Sequence, residues 1–181
     1  MIRRSTSLAL IIAAAWLSGM ACKGQTQVSR QTQTKNSAPS LRFMAFGDWG
    51  TNSPQQKRVA EAMAQYATRH QGADAVQFVV SLGDNFYEHG VTDVDDPQWQ
   101  TKFEQMYDKQ RLPMPFIAVL GNHDWHLNPV AQIAYARSNP GTRWQMDGFW
   151  FKRQYFLPAA TGTSTTGRTP LADFFFIDTD L

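Results

Sequence analysis

Three apolar runs of strand length each lead into a glycine and then an oxygen-bearing side chain, and this pattern limits the fold of the chain more than any other. LRFMAF (41–46) precedes Gly47-Asp48, VQFVVS (76–81) leads to Gly83-Asp84, and FIAVL (116–120) ends at Gly121-Asn122. Helical patterns separate the runs. Pro54 sits where a helix can start without losing a hydrogen bond. From there to about His70, Val59, Met63, Tyr66 and Ala67 recur at helical spacing. A loop carries Glu88, His89 and Asp93, and a second helix is predicted from Pro97 to about Tyr107, with Trp99, Phe103, Met106 and Tyr107 on one face. A third is predicted over Pro129–Arg137, and two more strands over Phe149–Phe156 and Ala172–Asp178, joined by a Thr/Ser/Gly loop at 161–169. Near-continuous apolar strands alternating with helices predict an α/β fold whose sheet is parallel and covered on both faces.

In an open parallel sheet, sites form outside the carboxyl ends of the strands. If the three strands are neighbours, Asp48, Asp84 and Asn122 meet near one point. Bare carboxylates crowded together repel, so such a point calls for a cation or protons between them. Asp84, on the middle strand, is the natural bridge between two ions. Tyr87 follows it by three residues. A phenol has a pKa of about 10, so binding as phenolate in neutral or acid solution requires a strongly Lewis-acidic ion. Fe(III) is the leading candidate.

FGDWG (46–50), GDNFY (83–87) and GNHD (121–124), in this order and spacing, resemble the metallophosphoesterases, and more narrowly the purple or tartrate-resistant acid phosphatases. The likeness continues through NFYEHGVTDVDDPQWQTKFEQMY and NPVAQIAYA and extends from Leu41 to about Asp178. It implies a metallophosphatase-type α/β/β/α sandwich with a mainly parallel sheet. Asp48 resembles a ligand of a ferric ion, Asp84 the bridging carboxylate and Tyr87 the tyrosinate on iron. Asn122 resembles a ligand of a second, divalent ion (Fe, Zn or Mn). His123 resembles the histidine that contacts the substrate phosphate and assists the leaving group. The implied reaction is hydrolysis of phosphate monoesters at acid pH, by attack of a metal-activated hydroxide on phosphorus.

The chain departs from that family in one respect. The family supplies three further histidine ligands from later segments, including a Gly-His-x-His, and this sequence ends before them. Its four histidines are His70, His89, His123 and His126, and neither His70 nor His89 stands in for the missing set. The expectation is a domain truncated at its C-terminus, with weakened metal binding. Two other readings stay open: a phosphodiesterase or nucleotide-cleaving member of the same superfamily, against which Tyr87 argues, and an inactive truncated module.

Other residues are weighed against plainer roles. Asn85 is either loop packing or a contact to phosphate. His126 is either a surface residue or one that reaches the pocket mouth. With His123 these make up the candidate substrate-binding set. Asp124 is read as fixing its loop, Phe86 and the Trp99–Phe103–Tyr107 stripe as core, and Asp178 and Asp180 as structural.

Residues 1–21 read as a secretory signal peptide: Arg3 and Arg4, an apolar stretch over Leu8–Leu17, then Gly19-Met20-Ala21. The only cysteine, Cys22, follows at once, which suggests a lipid-anchored N-terminus. Gly19, however, stands where the lipoprotein pattern wants leucine, so lipid attachment and ordinary release both stay open. Residues 22–40 are polar and read as a flexible tether, and residues 41–181 as the incomplete catalytic domain. The expected location is therefore outside the cytoplasm: periplasmic, secreted or anchored at the envelope. The formal charge of +2 belongs to the leader, because without residues 1–21 the chain holds fifteen basic and fifteen acidic groups. That balance gives no argument for nucleic-acid binding. The expected partner is a small phosphorylated substrate, with membrane contact only through lipid on Cys22.

Overall fold

The computed structural model describes residues 40–156 and 169–180. The leader, Cys22, the tether and nearly all of the 161–169 loop lie outside the described residues. Among those described, no helix is long and apolar enough to cross a membrane.

The three apolar runs form β1 (Phe43–Phe46), β2 (Phe78–Leu82) and β3 (Phe116–Val119), and a short β4 (Trp144–Gln145) follows. They make one parallel sheet in the order β1-β2-β3-β4, with Phe46 opposite Ser81 and Leu82 opposite Val119. Sequential order in a parallel sheet places consecutive strand ends side by side, which is the arrangement that the three Gly-Asp/Asn endings need. β4 was not anticipated, because two residues are too few to show a period.

Helix α1 (Pro54–Arg69) begins at Ser53, whose hydroxyl accepts a hydrogen bond from the Gln56 N–H, with Pro54 in the first turn. Its buried face is Gln56, Ala60, Met63, Ala64 and Ala67. Val59, expected inside, is 45% exposed. The apolar stripe runs one residue later than its bulkiest members suggest, since three alanines let the helix approach the sheet closely. α2 (Pro129–Ser138) forms close to where it was predicted.

The stripe near 97–107 is not an α-helix. Trp99–Glu104 makes a single wide turn, with the Gln105 N–H bonded to the Gln100 carbonyl at 2.9 Å. In an α-helix, residues four apart drift about 40° around the axis. A wider turn reduces that drift and lets Trp99, Phe103 and Tyr107 all reach full burial.

Alternation along β2 and β3 divides the core. Val79, Phe116 and Ala118 face a mainly aromatic layer of Trp49, Phe86, Trp99, Phe103, Tyr107 and Trp144. Trp99 stacks on Tyr135 with ring centres 3.7 Å apart, a geometry worth about 0.5–1.5 kcal/mol beyond the area buried. Phe78, Val80, Ile117 and Val119 face the other way, onto Phe151, Tyr155, Phe174 and Phe176. Those residues belong to an antiparallel pair, β5 (Trp150–Phe156) and β6 (Pro170–Ile177). This second sheet packs on the first, in keeping with a metallophosphatase-type sandwich. Its far face leaves Trp150, Phe175 and Ile177 74%, 68% and 62% exposed. Asp178, read as structural, is buried and accepts a hydrogen bond from Trp125 Nε1 at 2.9 Å.

Candidate metal centre

Past their ends, β1 and β2 keep pairing for one more step. The Asp48 N–H donates to the Gly83 carbonyl and the Trp49 N–H to the Asp84 carbonyl, both at 3.2 Å. Asp48 and Asp84 both adopt positive φ, 55° and 50°. Aspartate tolerates this conformation better than most residues, at some cost in strain. Gly83 and Gly121, the glycines ahead of Asp84 and Asn122, serve different ends. Gly83 has φ of 100°, and a Cβ there would press on the backbone of Leu120 and Gly121 at 2.7–2.8 Å. Gly121 has ordinary φ, but a Cβ on it would collide with the carboxylate of Asp84. Of these two, one glycine permits a turn and the other makes room for the carboxylate.

Three hard oxygens converge here. Tyr87 Oη lies 2.7 Å from Asp84 Oδ2 and 2.9 Å from Asp48 Oδ1. Burial, and then the hydrogen bonds to Asp84 and Asp48, push the phenol pKa well above its ordinary value. Two carboxylates thus hold Tyr87 as a neutral donor, and a phenolate there needs a cation to reverse the local field. The other oxygen of Asp84 accepts the His123 N–H at 3.1 Å, which ties the β2 loop to the turn carrying Asn122. Asn122 opens that 3-10 turn (Asn122–His126) with its side chain exposed.

The donor chemistry suits a hard ion. Asp48, Asp84 and Tyr87 offer oxygen only, and their mutual approach puts carboxylates where a positive charge is favourable. Among the described residues, no group of three or more His, Cys, Asp and Glu is placed to hold a metal ion. The convergent set is therefore two carboxylates and one phenol.

A buried carboxylate frames this set. Asp124 accepts hydrogen bonds from the N–H groups of Asn85, Phe86 and Gly121 and from Gln132 Nε2, at 2.8–3.1 Å. Burial pushes its pKa up, and these donors oppose the shift. Asp124 thus locks the β2 loop to the β3 loop, the loop-fixing role read from the sequence.

Asn85 does not face solvent. Its side chain is fully buried: Oδ1 accepts from Ser81 Oγ, and Nδ2 donates to the Val119 carbonyl at 2.8 Å and to Gln132 at 3.1 Å. Every polar atom of the amide is occupied within the frame, which leaves none for a phosphate. Trp49 is held in the core by its indole N–H on Ser81 Oγ at 2.7 Å.

His123 leans over Tyr87, with ring centres 4.5 Å apart. Its Nδ1 lies 2.6 Å from the Glu88 carbonyl. A carbonyl can only accept, so Nδ1 carries the proton and Nε2 is left for other partners. His126 is 5.2 Å from His123, ring centre to ring centre, and faces His89 across a 3.3 Å gap between the two Nδ1 atoms. The approach of His89 to this rim is the feature that sequence reading missed, because residues 37 positions apart show no pairing signal. His70 stacks on Tyr66 at the end of α1, away from this group.

Comparison with known proteins agrees with this architecture. The family model described as calcineurin-like phosphoesterase matches residues 41–177. Purple acid phosphatase 7 of Arabidopsis thaliana is 33% identical over 147 residues, covering 81% of this chain and 39% of the relative. Tartrate-resistant acid phosphatase type 5 of Homo sapiens is 36% identical over 123 residues, covering 66% of this chain and 37% of the relative. The chain thus spans about two fifths of the length of these curated relatives. A solved structure described as GAP50, the anchor in the inner membrane complex of Plasmodium, superposes with a TM-score of 0.63 at 32% identity, covering 77% of this chain and 42% of that one. The chain belongs to the calcineurin-like phosphoesterase family, with purple and tartrate-resistant acid phosphatases among its relatives.

Proposed function

We propose that this chain carries part of a dinuclear metal site that hydrolyses phosphate monoesters in acid. One observation carries the reading: Asp48, Asp84 and Tyr87 bring three oxygens together at the carboxyl ends of β1 and β2. Asp48, Asp84 and Tyr87 would hold Fe(III), and Asp84 and Asn122 would hold part of a divalent Fe, Zn or Mn site. When bound, such ions supply Lewis-acid stabilisation of the phosphoryl oxygens and an activated water.

The chain's own residues do the rest. Asp124 and the N–H groups it gathers keep the two ligand loops in register. In its doubly protonated form His123, whose ring lies beside Tyr87, could donate from Nε2 to a phosphoryl oxygen and pass that proton to the departing alkoxide. His126 stands further out on the same rim. Asn85 leaves the substrate-contacting set and joins the frame. Export through residues 1–21, with or without lipid on Cys22, would place this chemistry outside the cytoplasm.

The test is iron loading followed by metal analysis, visible absorption and release of phosphate from an aryl phosphate in acid. A phenolate-to-iron band is expected from this chain, and phosphate release once the remaining ligands of the divalent site are also supplied. An iron-loaded protein without the band would overturn the proposal. Phosphate release from a diester in preference to the monoester would favour the phosphodiesterase reading.

A further inference from the structure

His89 and His126 belong to different loops and take no part in the oxygen cluster, yet their Nδ1 atoms lie 3.3 Å apart. Two neutral imidazole nitrogens cannot face each other as acceptors; a proton or a cation must lie between them. A separation of 3.3 Å permits a long N–H···N hydrogen bond in one tautomer. It also matches the edge of a tetrahedron around zinc: two Zn–N bonds of about 2.05 Å place their nitrogens about 3.3 Å apart.

The backbone holds this pair in place. The Gly90 N–H donates to the Phe86 carbonyl at 2.7 Å, and a Cβ on Gly90 would press on the backbone of Asp124. Beyond the pair, the Asn128 N–H donates to the Val91 carbonyl at 3.2 Å and Asn128 Nδ2 to the Thr92 carbonyl at 2.9 Å. The loops carrying His89 and His126 are therefore joined close to each histidine. Both are exposed, which leaves the remaining coordination positions to water or an anionic oxygen.

We infer that His89 and His126 form an accessory site for a borderline divalent ion (Zn²⁺, Cu²⁺ or Ni²⁺), distinct from the oxygen-rich centre at Asp48 and Asp84. Nitrogen donors select these ions, whereas carboxylate and phenolate oxygens suit harder ones. With two protein ligands the ion exchanges readily. The site does not depend on the phosphatase reading.

The test is calorimetric titration of the full chain with zinc chloride, alongside His89→Ala, His126→Ala and Asp84→Asn. Loss of an outer partner of a metal ligand weakens binding about 10–100-fold, and loss of a ligand costs no less. Each histidine variant should therefore weaken one zinc event at least about tenfold, while Asp84→Asn keeps it. Unchanged zinc binding in both histidine variants would overturn the site, as would its loss in Asp84→Asn. Copper broadening of imidazole proton signals in the unmutated chain gives a readout independent of mutant folding. His89 and His126 should broaden first, and broadening that spares both would refute the assignment.

Discussion

Tyr87 donates its phenol hydrogen toward Asp84 at 2.7 Å, and the same carboxylate, through its second oxygen, accepts the backbone N–H of His123. Asp84 thus joins the β2 loop to the β3 loop and takes part in the oxygen cluster at the same time. A side chain with both duties is sensitive to change at either neighbour.

Tyr87→Phe removes one oxygen donor and leaves the ring, its contact with His123 and the carboxylates in place. Iron-loaded Tyr87→Phe is expected to lose the visible band while its far-ultraviolet circular dichroism stays unchanged. A band of undiminished intensity would show that Tyr87 does not bind the iron.

Gly121→Ala tests the space around Asp84. The new methyl group meets the carboxylate and the backbone nitrogen of Asp84, so either the side chain or the β3 loop must shift. The expected cost is about 1–3 kcal/mol in denaturant unfolding, typical of overpacking. Metal affinity should fall as well, because the displaced group is a proposed ligand. Gly72→Ala is the contrast: its Cβ would meet nothing within 4 Å, so only the backbone penalty of its φ of 62° remains.

Asp124→Ala strips the acceptor from the N–H groups of Asn85, Phe86 and Gly121 and from Gln132. Leaving buried donors unpaired costs about 1–3 kcal/mol each. A loss of about 3 kcal/mol or more in unfolding free energy is expected, with faster amide exchange in residues 85–90 and 121–126. A loss below about 1 kcal/mol would mean that the frame does not depend on this carboxylate.

The pH dependence of stability should show the surface pair that Glu61 of α1 makes with Arg111. Arg111, and then Gln65, hold Glu61 down at about 2, against an ordinary value of 4.5. The folded state thus favours the ionised form. The contribution is full above the unfolded value and is lost as pH falls through the folded one. The melting-temperature difference between the native chain and Glu61→Gln should be largest near neutral pH and vanish toward about pH 2. High salt should shrink it, because the pair is exposed. A difference that grows on acidification would contradict this assignment.

Much of this molecule is written locally in the chain. A strand buried on both faces reads as a continuous apolar run, and three such runs separated by helical patterns define a parallel sheet with little ambiguity. The Gly-Asp and Gly-Asn endings then place Asp48, Asp84 and Asn122 at one edge of that sheet. Tyr87 is legible because a phenol three residues after Asp84 can turn back toward it within a single loop.

What the tertiary structure alone decided involves pairs far apart in sequence or choices made by packing. Asn85 faces inward because Ser81, Val119 and Gln132 converge on it. The wide turn at Trp99–Glu104 exists because three aromatics share one layer, and Val59 is displaced from the core because alanines fit closer to the sheet. His89 meets His126 only because Gly90 lets one loop rest on the backbone of the other. Local sequence records propensity and period; contacts between distant segments depend on how closely folded surfaces approach, which no short window of residues contains.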